Sequence, residues 1–105
     1  MKTVQTPNGS TVYIGQNARE NDQLTFELAR PDDLWLHAKD CPGAHVVLHG
    51  PCTPECIEEA VRQALHHSKA KQSVVEICKA GHVTKPHKAP PGLVELRNSW
   101  TYVLK

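Results

Sequence analysis

Across residues 34–49 apolar and polar side chains alternate on both sides of a Cys41-Pro42-Gly43 turn, the period of two that a pair of β-strands uses. In LWLHAK the alternation places Leu34, Leu36 and Ala38 on one face and Trp35, His37 and Lys39 on the other. In AHVVLH it places Val46 and Leu48 on one side and His45, Val47 and His49 on the opposite side. Pairing Lys39 across from His45 aligns both apolar faces and both polar faces, which predicts a sheet with one apolar face and one polar face.

The flanking sequence supplies what such a sheet packs against. Thr53 is a predicted N-cap, Pro54 suits the first helical position, and Ile57, Ala60, Val61, Ala64 and Leu65 follow helical spacing, giving a long helix over residues 54–71. Its acidic residues Glu55, Glu58 and Glu59 fall early, and His66, His67, Lys69 and Lys71 fall late, as the helix dipole favours. A short helix is expected over residues 23–29, capped by Asn21 and Asp22 and stopped by Pro31. Residues 3–6 and 11–15 flank Asn8-Gly9 as a hairpin with a type I′ turn. A buried strand is expected over residues 73–78, then a basic, non-helical loop over 79–91 stiffened by Pro86, Pro90 and Pro91. Residues 93–96 and 100–104 close the chain as a terminal hairpin. The expected fold is α+β: a mixed, mostly antiparallel sheet of six or seven short strands with one long and one short helix.

At 105 residues the chain is read as one domain, residues 1–105, and a multidomain machine is not expected. Aromatic residues make up 5% of it, so the core must rest on Val, Leu, Ile and Ala. No apolar run approaches the roughly 18 to 20 residues of a membrane helix, and MKTVQTPNGS lacks a signal-peptide core, so the expected location is the cytoplasm, with no membrane partner. There Cys41, Cys52, Cys56 and Cys78 stay reduced.

The net charge of +1 conceals a split, with −4 over residues 1–65 and +4 over residues 66–88. One local basic segment in a near-neutral chain suits an anionic partner at that segment. Trp35, His37, Lys39 and His45 on the polar strand face combine an aromatic ring with phosphate donors, and Lys79, Lys85 and Lys88 of the basic loop extend the positive charge, a pattern that suits RNA. Two other readings compete. Cys52 and Cys56 are separated by three residues and His82 and His87 by four, spacings that zinc sites use, within a zinc-binding or protein-interaction module. His37, Lys39, Asp40 and His45 could instead serve as acid, base and phosphate ligands in a small RNA-processing enzyme. No Gly-rich phosphate loop, nucleophile elbow or paired-carboxylate metal motif accompanies them.

The run NARENDQLTFELARPDDLWLHAKDCPGAHVVL resembles the NFACT-R family, the RNA-binding module of NFACT proteins. The resemblance is carried by Asn17, Asn21-Asp22, Leu24-Thr25, Trp35, His37, Lys39-Asp40, Pro42-Gly43 and His45-Val46-Val47. His67-Ser68-Lys69-Ala70, Val83, Lys85-Pro86 and Pro91-Gly92 follow in the family's order, so it spans nearly the whole chain. It implies an α+β module that binds tRNA or rRNA in translation, ribosome quality control or RNA modification, with the large ribosomal subunit as a partner and no cofactor. The RNA contacts expected on this basis are Trp35, His37, Lys39, Asp40, His45, Lys69, Lys71, Lys79, Lys85 and Lys88. The sequence departs from the family after the long helix. Where a Tyr-Thr pair and a run of Lys or Arg are usual, it has Val75-Glu76-Ile77-Cys78-Lys79 and then Thr84-Lys85-Pro86-His87-Lys88. Thinned fixed charge predicts salt-sensitive binding, strengthened below about pH 6.5 as histidines gain protons.

Overall fold

A computed structural model describes residues 1–105. The β-branched and aliphatic runs form a six-stranded sheet of β1 (Lys2–Gln5), β2 (Thr11–Ile14), β3 (Leu34–Ala38), β4 (Val46–His49), β5 (Val74–Lys79) and β8 (Trp100–Val103). Its order is β1-β2-β4-β3-β5-β8, and all neighbours are antiparallel. The long helix α2 (Pro54–His66) lies on one face, over a core that includes Val12, Ile14, Leu36, Val46, Leu48, Val75 and Ile77. The apolar parity read for residues 34–49 is that of the structure, since Leu34, Leu36, Val46 and Leu48 all enter this core.

The register differs by two residues from the expected one. Leu36 pairs with Val46 and Trp35 with Val47, so Lys39 does not face His45. The reason lies in the connection, where the Lys39 N–H bonds the Val74 carbonyl of β5 and Gly43 forms a bridge with Ser68 after α2. A two-residue shift preserves parity, which is why the faces are unaffected.

The opposite face is not open. It carries a second core of Trp35, Val47 and Cys78 with Leu24, Ala80 and Val83, covered by a short helix and a two-stranded sheet. The short helix α1 (Ala18–Gln23) begins earlier than expected because Asn17, not Asn21 or Asp22, is its N-cap. The Asn17 side chain accepts the Glu20 N–H at 2.9 Å, and Glu20 reaches back to the Gln16 N–H at 3.0 Å, a variant of the capping box. The chain continues as a π-helical turn over Leu24–Leu28.

Other boundaries also move. Helix α2 has the expected Thr53 N-cap but stops at His66, five residues short of Lys71. The Ser68 hydroxyl donates to the Leu65 carbonyl, while the Ala44 and Lys69 N–H groups bond the carbonyls of His67 and Pro42, so the strand connection pulls the chain out of the helix. The basic loop contains a 3₁₀ turn (Ala80–His82) and strand β6 (Val83–Thr84), which pairs with β7 (Glu95–Leu96) as the small second sheet. The last two strands therefore join different sheets and are not a hairpin with each other. At the first hairpin the chain turns through Pro7 and Asn8, with only Gly9 in the left-handed region, so the turn is not type I′. No helix is long and apolar enough to cross a membrane.

Candidate nucleic-acid interface

The second core organises the site. The Trp35 Nε1–H donates to Thr25 Oγ1 at 3.1 Å, Thr25 Oγ1 shares a 2.9 Å hydrogen bond with His45 Nδ1, and the His45 N–H donates to Asn21 Oδ1 at 3.0 Å. The three rings stack tightly. His37 lies nearly parallel to Trp35 with centroids 5.9 Å apart, and His45 meets both edge-on, 5.0 Å from Trp35 and 5.6 Å from His37. Trp35 and His45 are each 2% exposed. The expectation that Trp35 stacks on a base is therefore corrected, because its ring faces are used inside the protein. His45 likewise belongs to the scaffold.

Burial, and then the neighbouring His37, push the His45 imidazole down to about 4. Burial also lowers His37, although hydrogen bonds to the Gly43 and Ala38 backbone work the other way. At about 4, His45 gains no proton in the range where acid-strengthened phosphate binding was expected, and the lowered His37 contributes less than an ordinary imidazole would. His45 borders an open groove, but its Nδ1 is engaged by Thr25 and the residue is buried, which limits it as an acid or base.

Beside this cluster an open groove of about 790 Å³ runs between the start of α1, the β3–β4 connection and the end of α2. Gln16, Asn17, His37, Ser68 and Lys69 line it. A second depression of about 470 Å³, lined by Lys39, Asp40, Lys69, Lys71 and Gln72, shares Cys41 and Lys69 with the first. The early end of α2 makes this possible by releasing Lys69 and Lys71 toward the β3–β4 connection. Lys39, Lys69 and Lys71 take part in no ion pair. Two glycines set the walls. A Cβ on Gly43 would lie 2.7 Å from the Ser68 side chain, and one on Gly15 would lie 2.1 Å from Asn21 Oδ1.

The remaining expected contacts do not join this cluster. Lys79 pairs with Leu34 at the far end of β3 and sits 3.8 Å from Asp32. It is five residues of β5 from Val74, to which Lys39 bonds, so roughly 16 Å of strand separates Lys79 from the backbone partner of Lys39. Lys85 is an internal clamp. Its ammonium pairs with Asp22 at 3.0 Å and donates to the Pro90 and Leu93 carbonyls, while Asp22 also accepts the Gly92 N–H at 2.9 Å. Although burial works the other way, Gly92 and Lys85 together hold the Asp22 carboxyl below its ordinary value. Lys88 is exposed on the loop, in a left-handed conformation.

Cys52, Cys56, His82 and His87 do not converge, and no group of three or more His, Cys, Asp or Glu side chains is placed to hold a metal ion. Cys56 instead sits among the hydroxyls of Ser10, Thr53 and Thr6, at 3.0, 3.2 and 3.4 Å. Gln16 and Ser68 were not singled out from sequence as site residues. The signal that could have drawn attention to the first is the Asn17-x-x-Glu20 cap beside it.

Together, the α+β fold and the lysine-rimmed groove define an RNA-binding module. The family model described as NFACT protein RNA binding domain matches residues 1–97, and the chain belongs to that family. It is 43% identical over 98 residues to the Rqc2 homolog RqcH of Bacillus subtilis (strain 168), a match covering 90% of this chain and 17% of that protein. It is 37% identical over 101 residues to the Rqc2 homolog RqcH of Streptococcus suis (strain 05ZYH33), covering 91% of this chain and 18% of that protein. The chain thus spans less than a fifth of these curated relatives. The solved C-terminal part of the fibronectin/fibrinogen-binding protein of Streptococcus suis superposes with a TM-score of 0.89 at 32% identity, covering 95% of this chain and 43% of that one.

Proposed function

We propose that the module binds tRNA or rRNA in ribosome quality control, at the large ribosomal subunit in the cytoplasm. Lys39, Lys69 and Lys71 contact phosphates, and Gln16, Asn17 and His37 offer hydrogen bonds to a base or ribose. The observation that carries this reading is the meeting of three lysines free of ion pairs along two adjoining depressions that share Cys41 and Lys69. Trp35 and His45 support the groove from beneath. Lys79, Lys85 and Lys88 add background potential without touching the groove nucleotide.

Fluorescence anisotropy with labelled tRNA and an rRNA fragment across a salt series tests it. Each of Lys39→Ala, Lys69→Ala and Lys71→Ala is expected to weaken binding and to lower the salt slope by about 0.7 to 0.9. Lys85→Ala is expected to leave the slope unchanged. Equal slopes in wild type and the three groove variants would overturn the assignment.

A further inference from the structure

At the opposite end of β4 from the groove, a small cavity of about 170 Å³ opens between β2, β4 and the π-helical turn. Its floor is aliphatic, with buried Leu24 and Val47, exposed Leu28 lies at its edge, and Tyr13 closes one side. Arg30 and His49 stand at its rim. Asp33 orients His49. One carboxylate oxygen accepts the His49 Nδ1–H at 2.7 Å, and the other accepts the Arg30 backbone N–H at 2.9 Å. Asp33 is itself fixed by its N–H to the Arg30 carbonyl and by the Ala80 N–H to its own carbonyl. With Nδ1–H donated to the Asp33 carboxylate, Nε2 is the ring nitrogen left without a protein partner. The Arg30 guanidinium takes part in no ion pair.

We propose that this cavity captures the carboxyl terminus of a peptide ending in a leucine-sized aliphatic residue. The terminal carboxylate pairs with Arg30, the N–H of the same residue donates to His49 Nε2, and its side chain enters the cavity. Three features carry this assignment. A cation, a hydrogen-bond acceptor and an apolar hole lie together, and only a chain-terminal residue branches a carboxylate, an N–H and a side chain from one carbon. The volume equals roughly six waters, enough for an aliphatic side chain and too small for a nucleobase with its ribose. Exposed Glu27, beside Leu28 in sequence, disfavours a polyphosphate chain more than a single carboxylate bound by arginine.

Titration of the whole isotope-labelled chain with acetyl-Gly-Gly-Leu, followed by amide chemical shifts, tests the proposal. The free acid is expected to shift Leu24, Val47 and His49 and to saturate with a Kd near about 1 mM. The carboxamide, the terminal N-methyl-leucine analogue and acetyl-Gly-Gly-Gly are each expected to bind about tenfold more weakly. Arg30→Gln, at an exposed position, is expected to bring the acid down to the level of the carboxamide. The proposal is overturned if acid and carboxamide bind alike, if the shifts fall elsewhere, or if a short single-stranded RNA shifts the same amides more strongly than the acid does.

Discussion

His45 makes acid stability a quantitative test of the second core. In the unfolded chain its imidazole titrates near its ordinary 6.5, whereas in the fold burial and His37 push it down to about 4. Between these values the unfolded chain holds a proton that the folded one does not, so stability falls as pH falls through this window. From about pH 7 to about pH 5 the loss worked from the two values is about 2 kcal/mol, a large share of the stability of a small domain. Of the neighbouring groups, His37 is also lowered and adds in the same direction, whereas Asp22 keeps its charge throughout the window. Urea unfolding of wild type and His45→Gln at the two pH values measures the effect. The variant should lose most of the wild-type difference and retain the part due to His37. A wild-type loss below about 0.5 kcal/mol, or an unchanged pH difference in the variant, would refute the reasoning.

Two further predictions concern the same layer. Trp35→Ala should destabilise the fold by about 3 to 5 kcal/mol in urea unfolding, because it opens a cavity and strips Thr25 and His45 of a partner. Trp35→Phe keeps most of the volume and should leave tRNA affinity within about twofold once the protein is folded; a much larger loss would mean that the indole touches RNA after all. Asp22→Asn should loosen residues 86–93 from the Lys85 clamp, at a cost of about 1 kcal/mol for the half-buried charged partner lost. Hydrogen exchange should then rise at Gly92 and Leu93 but not in β3 or β4, and uniform protection would show that the clamp holds nothing.

The parts of the fold that depend on local periodicity were legible. The parity of residues 34–49 and the Thr53-Pro54 start of α2 follow from alternation and capping chemistry that involve near neighbours only. Features set by distant partners were not. The end of α2 depends on Gly43 meeting Ser68, and the clamp depends on Lys85 finding Asp22, 63 residues away. Strands β6 and β7 are two residues each, too short to show any alternation. For the site, alternation placed Trp35, His37 and Lys39 on one face, but parity carries no information about what covers it. The π-helical turn and the small sheet cover Trp35, while Lys39, beyond the end of β3, stays exposed. The cluster of Lys39, Lys69 and Lys71 was readable as residue types; the exclusion of Lys79 and Lys85 required the register and the clamp.

The sheet is sandwiched between unequal layers. The layer between α2 and the sheet holds thirteen buried residues, and the layer formed with the π-helical turn and the small sheet holds six. The thinner layer has less burial to lose when it loosens, so its local opening free energy should be the lower of the two. The groove straddles the seam between them, with Asn17 contributed by the pliant side and Ser68 and Lys69 by the firm one. One wall is thus an anvil that keeps its phosphate donors in place. The other can yield by small amounts, letting a single binding cleft mould itself to RNA surfaces of differing contour.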